Sequence, residues 1–394
     1  MRDAIVASGW TWEASNVTER VSSALARAGS RVLYCENPAS FLQTVRPFSE
    51  VEKGVFAFGL QHFGHRLTSF PILRPFQAKQ LASEILNIAV RLQLNNPVFI
   101  YPHADYCLPL CREFKRRGFQ LIHICMDYEL DLVAEHVRES DLALIIPRVA
   151  FERLREQFGA KVRKIPQFSY VEESDGQTSP GLLESSELSR IPKPRLGYLG
   201  GLAGRLSLPL LRETLARHPE WQFISFDSEK RLALPNEHIL PWRSREGLGS
   251  ILAGLNVGFM PYDCTTPKNL HCVPLKLFDY FALGMPVVST PIVFLQEKEY
   301  EDLVYLGRTP EELADSISRA LVEPVDSPKK AGRIAVAREH SIGRSARIMA
   351  SILDELSGQA NGNTRGLEEL RREADGTSDT DKALPNLSAV NRTG

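Results

Sequence analysis

The chain has 394 residues and a formal net charge of -1, from 47 Lys and Arg against 48 Asp and Glu. No global field draws such a protein to nucleic acid, which we therefore do not expect as a partner. The length exceeds what one hydrophobic core usually serves and predicts two domains. The six cysteines form no CxxC pair and no zinc-binding spacing, which favours reduced thiols in a reducing compartment.

The N-terminus and the apolar runs predict neither a leader peptide nor a membrane anchor. MRDAIVASGW lacks the long apolar core of a signal peptide, and the longest apolar runs, such as 142–147, are too short to span a bilayer. We expect a cytoplasmic protein that contacts a membrane only peripherally, at its inner face, if at all.

The first half of the chain alternates short apolar runs with segments of helical period. A strand at 4–7, a helix at 16–28 and a strand at 31–35 form a βαβ unit, which predicts a parallel sheet. Residues 41–76 give no clean period. Further helices are expected at 77–94, 108–117 and 150–158, and further strands at 98–101, 121–126, 142–146 and 162–165.

A change of composition divides the chain. Residues 173–194 have the Ser-, Glu-, Gly- and Pro-rich composition of a linker, which separates an α/β domain at 1–172 from a second at 195–328. One long terminal helix is expected at 329–357, packing back across the domains, and a disordered polar tail at 358–394. In the second domain we expect strands at 195–199, 222–226, 257–260 and 287–289, and helices at 208–217, 245–255, 274–282 and 311–321.

A glycine-rich turn follows the first strand of the second domain. RLGYLGGLAGRL ends that strand and continues with Gly200, Gly201 and Gly204, and Arg205 lies at the same turn. Glycines let backbone N–H groups approach a phosphate, and the N-terminus of the next helix attracts anions. Without the GxGxxG spacing, the turn predicts either a phosphate site or a simple packing turn.

A second segment, PLKLFDYFALGMPVVST, carries a lysine in the first turn of a predicted helix. A cation there opposes the helix dipole at a cost of about 0.3–1 kcal/mol. A charged hydrogen bond to phosphate is worth about 1.5–3 kcal/mol, so Lys276 is expected to meet a bound diphosphate. Asp279, one turn further on, is expected to accept hydrogen bonds from a ribose. The alternative is a solvated Lys–Asp pair worth about 0.3–0.5 kcal/mol.

These segments resemble a known enzyme family. PLKLFDYFALGMPVVSTP is similar to the donor-site signature of GT-B glycosyltransferases of the family 4 (group 1) type, roughly P-L-K-x-x-E-Y-x-A-x-G-x-P-V-V. Other segments follow in the family's order, so the resemblance covers most of residues 1–355. It implies two Rossmann-like domains facing across a cleft, with the donor nucleotide on the C-terminal domain and the acceptor on the N-terminal domain.

The resemblance also implies roles for single residues at the donor diphosphate. Lys276 and Arg205 would contact the diphosphate and stabilise the charge that grows on it during transfer. Gly200 and Gly201 would lie under the phosphates. Lys276, Arg205 and helix N-termini would do this without a metal, because the one DxD sequence, at 379–381, falls in the predicted tail. No other cofactor is expected.

Two positions depart from the family pattern. Asp279 stands where relatives usually carry Glu, so its side chain reaches one methylene less far toward the ribose. His271 stands where many relatives carry an acidic residue near the transferred sugar, which leaves an unusual donor or reduced activity as alternatives. Pro274 and Leu275 complete the donor-side set that the motif implies.

The N-terminal domain is expected to supply the acceptor contacts. His103 follows a predicted strand, where open α/β sheets place ligand residues, and is a candidate general base; a merely hydrogen-bonded histidine is the alternative. Asp127 and Glu129 are similar candidates after the next strand. Trp10 and Trp12 would either stack on a sugar or simply pack.

The sequence therefore predicts a glycosyltransferase that uses a nucleotide-diphosphate sugar and a saccharide or lipid-linked acceptor, in the synthesis of cell-surface polysaccharide or glycoconjugate. The family implies retention of anomeric configuration, and no nucleophilic carboxylate for a double displacement is identifiable. Two alternatives stay open. One is a sugar-nucleotide epimerase of the same fold, and the other is a non-catalytic scaffold or regulatory subunit that kept the fold.

Overall fold

Two sheets, each covered by helices, form the framework of the protein. A computed structural model describes residues 2–12, 16–40, 43–62, 74–104, 106–126, 130–169, 185–202, 204–226, 231–241 and 245–359. The first sheet has eight strands in the order β3-β4-β2-β1-β5-β6-β7-β8, and the second has six in the order β11-β10-β9-β12-β13-β14. Every neighbouring pair is parallel except β3 with β4.

The first sheet is built from the N-terminal half of the chain. Its strands are β1 Ala4–Ala7, β2 Val32–Ser40, β3 Ser49–Glu52, β4 Val55–His62, β5 Val98–Pro102, β6 Leu121–Cys125, β7 Leu142–Ile145 and β8 Val162–Lys164. Its helices are α1 Val17–Arg27, α2 Arg74–Arg91, α3 Cys107–Arg116, α4 Leu130–Glu139 and α5 Arg148–Phe158. Strands β1, β5, β6 and β7 are buried along their whole length, as expected for parallel strands covered on both faces.

The second sheet follows residue 194. Its strands are β9 Arg195–Gly197, β10 Gln222–Phe226, β11 Glu237–Leu240, β12 Val257–Met260, β13 Val287–Ser289 and β14 Tyr305–Leu306. Its helices are α6 Leu208–Ala216, α7 Arg245–Ala253, α8 Pro267–Leu270, α9 Leu275–Ala282 and α10 Pro310–Leu321, and α11 Pro328–Glu339 and α12 Ile342–Gln359 close the described chain.

The structure adds elements that the apolar pattern does not predict. The pair β3 and β4 lies in the stretch 41–76, where no clean period is visible, and Gly54, with φ 82°, makes the turn between them. Helix α4, the short helix α8 and the edge strands β11 and β14 are also additional. Three of the four strands lie at sheet edges, where one side needs no partner and the apolar signal is weak.

The single terminal helix predicted at 329–357 is wrong: two helices, α11 and α12, meet at His340 and Ser341. The Ser341 hydroxyl accepts a hydrogen bond from the backbone N–H of Arg344, at 3.3 Å, and so satisfies a free amide at the start of α12. Helix α12 then packs on α1, and its buried residues Met349 and Leu353 belong to the core of the first sheet. Among the described helices, none is long and apolar enough to cross a membrane.

Candidate functional site

Helix α9 carries the lysine and the aspartate of the predicted donor site. Pro274 is the residue before the helix, not within its first turn, and Lys276 follows at the second helical position. The Lys276 ammonium lies 3.9 Å from the centre of the Tyr198 ring, a cation–π contact. Asp279 bonds instead to Arg20, so the solvated Lys–Asp pair considered as an alternative does not form.

The glycine-rich turn lies directly beside this lysine. Gly200 has a φ of 153°, a backbone conformation that favours glycine. A Cβ at this position would lie 3.2 Å from the Tyr198 ring and 3.6 Å from the Lys276 Nζ atom. The sequence therefore places a residue without a side chain where the ammonium approaches the backbone, which leaves room for a ligand between them.

Tyr280 fixes the helix against the turn. Its buried hydroxyl donates to the Gly197 carbonyl and accepts from the Leu199 N–H, both at 2.9 Å. Burial raises the pKa of Tyr280 well above its usual value, so the hydroxyl keeps its proton and can donate. Gly258 on β12 makes room for the ring, since a Cβ there would lie 2.7 Å from it. The positions of Lys276 and the glycine turn are thereby coupled.

A cavity of about 660 Å³ lies between the two sheets. Nearly all the predicted donor residues border it. The second domain contributes Gly200, Gly201, Arg205, Pro274, Leu275, Lys276 and Asp279 among others. The first domain contributes Trp10, Thr11, Trp12, Asn16, Val17, Arg20, Met126 and Gln167. The structure thus brings the donor-side residues of the sequence prediction to one place.

The lining of the cavity is positively charged. Among its described residues, Arg20, Arg205 and Lys276 are cations and Asp279 is the one carboxylate, which gives a formal charge of +2. A low-dielectric cleft with charges of one sign concentrates ligands of the other sign. The arrangement therefore suits a small dianion such as a diphosphate ester.

Arg20 is a charged site residue that the sequence motifs do not predict. Its side chain is 1% exposed, and its guanidinium donates to the Asp279 carboxylate at 3.2 Å and to the Phe168 carbonyl at 3.2 Å. A usable signal exists in the sequence. Arg20 lies three residues after Val17 and four before Ala24, so it falls on the apolar stripe of α1, where a charged residue is rarely buried unless it is paired.

The loop after β1 presents two tryptophans in different ways. Trp12 is 7% exposed, its backbone N–H donates to the Glu36 carboxylate at 2.8 Å, and its ring meets Tyr34 edge to face. The Arg46 guanidinium bonds the same oxygen of Glu36 at 2.7 Å. Trp10, in contrast, is 42% exposed at the cavity. Trp12 is therefore mainly a packing residue, whereas Trp10 offers an accessible ring.

Two predicted site residues lie away from the cavity lining. His103 is half-buried after β5, with its ring centroid 6.2 Å from that of the buried His123. His271 ends α8, and burial, together with the charge of Arg153, lowers its pKa. Neither histidine borders the cavity. Asp127 and Glu129 lie outside the described residues, as does the DxD sequence at 379–381.

The described part of the chain contains no group of three or more His, Cys, Asp or Glu side chains that is arranged to hold a metal ion. None of the six cysteines, all of them within the described residues, forms a disulfide, and all but Cys264 are buried. A buried cysteine outside a disulfide behaves as a small apolar residue.

Part of the chain is similar in sequence to a curated protein. No protein-family model matches the chain. A protein of Bacillus subtilis (strain 168) named "Putative teichuronic acid biosynthesis glycosyltransferase TuaH" is 27% identical over 154 residues, which is 36% of this chain and 38% of that protein. The match therefore spans less than half of the length of the curated relative.

Solved structures match over nearly the whole chain. A sucrose-phosphate synthase of Thermosynechococcus elongatus matches with a TM-score of 0.66 and 14% identity, over 91% of this chain and 100% of that one. A structure described as "Trehalose-6-phosphate from E. coli bound with UDP-2-fluoro glucose" matches with a TM-score of 0.62 and 12% identity, over 89% and 98%. The predicted architecture is confirmed: the chain has the GT-B fold, in which two Rossmann-like domains face each other across a cleft.

Proposed function

We propose that the chain is a glycosyltransferase that moves a sugar from a nucleotide-diphosphate sugar to a saccharide or lipid-linked acceptor. One observation carries the proposal: the Lys276 ammonium lies over the Gly200 turn, held by the Tyr198 ring at 3.9 Å. A lysine in the first turn of a helix opposes the helix dipole. A diphosphate bound at this helix start reverses that unfavourable interaction.

The size and charge of the cavity support the same ligand. A volume of about 660 Å³ falls in the range of about 300–1,000 Å³ typical of small-molecule sites. The formal charge of +2 on the described lining matches the two negative charges of a nucleotide-diphosphate sugar. The curated relative is named for teichuronic acid biosynthesis, so we propose a role in the synthesis of a cell-surface polysaccharide.

The proposed reaction breaks the bond between the anomeric carbon and the diphosphate oxygen. Negative charge grows on the departing diphosphate, and Lys276 and Arg205 are the proposed donors that stabilise it. Losing one preorganised donor of this kind typically costs about 10²–10³ in rate. We propose that these cations act without a metal or other cofactor and that the anomeric configuration is retained. The support for retention is the sequence resemblance.

We assign the donor to the second domain, residues 195–328, and the acceptor to the first, residues 1–172. The exposed ring of Trp10 supports this assignment, because sugars stack on accessible aromatic faces at the rim of such a cavity. The lack of a disulfide among the six cysteines, all of which the structure describes, supports a reducing, cytoplasmic compartment. If the acceptor is lipid-linked, we propose that the protein contacts the inner face of the membrane.

Ligand binding and product analysis test the proposal. UDP, GDP and ADP are screened by thermal shift, and UDP comes first because a structural neighbour is described with a UDP sugar. Binding to the native state raises the melting temperature, by an amount equivalent to about 2.7 kcal/mol at a hundredfold excess over Kd. Sugar nucleotides are then incubated with and without acceptors.

Transfer that depends on the acceptor supports a glycosyltransferase. Release of nucleotide and an epimerised sugar without acceptor supports the epimerase instead. If none of the three nucleotides binds, the catalytic proposal is overturned and a non-catalytic scaffold remains.

A further inference from the structure

Arg20 and Asp279 form an ion pair between the two domains. Arg20 lies on α1 of the first domain and Asp279 on α9 of the second, and both border the cavity. Their charged groups are 3.2 Å apart, and the side chains are 1% and 8% exposed. The same guanidinium reaches the Phe168 carbonyl at 3.2 Å, in the segment that follows the first sheet. One side chain therefore connects the domains at the edge of the cavity.

The pair leaves part of the Asp279 carboxylate available to a ligand. Arg20 bonds the Oδ2 atom, and no described residue donates a hydrogen bond to the other oxygen. A carboxylate has two oxygens and about four acceptor positions. A group held on one side by a buried guanidinium has one defined orientation, and Asp279 borders the cavity.

We infer that Arg20 is a positioning residue that orients Asp279 to accept the ribose hydroxyls of a nucleoside diphosphate. This inference rests on the proposed function. The ion pair with Arg20 also explains why position 279 carries an aspartate and not the longer glutamate. A glutamate would extend its carboxylate one methylene further toward the guanidinium. Ribose recognition by the second domain then requires the first domain to be in place, so the donor site is complete only when Arg20 contacts Asp279.

The test compares UDP with its 2′,3′-dideoxy analogue, which keeps the diphosphate and the base but lacks the ribose hydroxyls. The wild type is expected to bind UDP about tenfold or more tightly than the analogue, as hydrogen bonds to a charged acceptor would give. The loss of one positive charge from the lining should weaken both ligands to a similar extent, and Arg20→Gln should lower UDP affinity about a further tenfold, so that the preference disappears. A purely structural role of Arg20 would weaken both ligands equally.

Asp279→Asn should remove the same preference. The double variant Arg20→Gln with Asp279→Asn should bind UDP no more weakly than either single variant, because both act through one contact. The double variant also leaves no unpaired buried charge, so it provides the measurement if Arg20→Gln alone fails to fold.

The matched control is Arg163→Gln. It removes another arginine–carboxylate pair, with Glu355 at 2.7 Å, whose side chains are 39% and 49% exposed and lie outside the cavity lining. This variant should keep the wild-type preference for UDP over the analogue.

Two results separate the claims. If the wild type binds UDP and the Arg20 variants keep the preference, or lose affinity for both ligands alike, the inference about Arg20 is wrong while the proposed function stands. If the wild type binds none of UDP, GDP and ADP, the proposed function fails and the inference fails with it.

Discussion

The imidazole of His340 stacks on the ring of Phe278, with ring centroids 3.9 Å apart. His340 lies where α11 ends, and Phe278 lies on α9 between Lys276 and the end of the helix. The His340 Nδ1 atom also lies 2.7 Å from the Gln167 carbonyl oxygen, and the Ser169 N–H donates to the His340 carbonyl at 3.0 Å. The segment that follows the first sheet and the junction between α11 and α12 therefore contact each other, and His340 at this junction packs against the proposed donor helix α9.

This contact predicts a loss of stability in mild acid. Burial lowers the pKa of His340 from 6.5 to about 4, and burial lowers that of His136 to about 4 as well. Between pH 6.5 and pH 4 the unfolded chain binds more protons than the folded one. The contribution of these histidines to the free energy of unfolding is therefore complete above pH 6.5 and is lost as the pH falls toward 4. Each histidine contributes on the order of 3 kcal/mol over the whole window. Urea unfolding at pH 7.5, 6, 5 and 4.5 measures the slope.

His340→Gln tests the contribution of this single group. The variant cannot gain a proton in this window, so its stability should depend less steeply on pH than that of the wild type. It also loses the stacking on Phe278, so it should be less stable at pH 7.5. An unchanged pH slope would show that His340 is not the titrating group.

The contact between Lys276 and Tyr198 predicts a selective effect on ligand binding. Lys276→Ala should weaken nucleoside diphosphate binding about tenfold or more, since a charged hydrogen bond to phosphate is worth about 1.5–3 kcal/mol. Isothermal titration with UDP gives the Kd. Tyr198→Phe keeps the ring face under the ammonium and should change Kd by less than about threefold.

Lys268→Ala is the control for the loss of a positive charge. Lys268 is exposed on α8, the helix that precedes α9, and does not border the cavity. Its substitution should leave the affinity for UDP nearly unchanged. Equal losses in the Lys276 and Lys268 variants would mean that only long-range charge attracts the ligand.

Two glycines of one turn provide a matched pair. Gly200 and Gly204 both have positive φ, 153° and 84°, so alanine at either is expected to cost about 1–2 kcal/mol of stability. A Cβ at Gly204 meets nothing within 4 Å, whereas one at Gly200 would crowd Tyr198 and approach Lys276. Gly200→Ala should therefore also weaken UDP binding, and Gly204→Ala should not. Thermal unfolding and titration of both variants separate strain from the loss of ligand space.

The parts that the sequence predicts well depend on local signals. Strands β10, β12 and β13 have the predicted bounds because each is a short apolar run between turn residues. Lys276 and Gly200 are both predicted as site residues from the local sequence. Lys276 is a cation in the first turn of a helix, and Gly200 belongs to a glycine-rich turn after a strand. The break at His340 is missed because neither Gly nor Pro stands at 340 or 341.

Arg20 is missed for a different reason. Its partner Asp279 is 259 positions away in the chain, and only the contact between the two domains brings them together. The neighbours of a buried charge on an amphipathic helix cannot be read from local periodicity. Its presence on the apolar stripe indicates that it has a partner but not which one.

The packing of α12 on α1 makes the C-terminal helix part of the core of the first domain. Leu353 is fully buried in that core, so Leu353→Ala should lower the free energy of unfolding by about 2–5 kcal/mol. Asp354→Ala, at the exposed neighbouring position, should stay within about 0.5 kcal/mol of the wild type. Urea unfolding followed by fluorescence measures both. Equal stability of the two variants would show that α12 adds nothing to the core. The UDP affinity of folded Leu353→Ala should match the wild type, because Leu353 does not border the cavity.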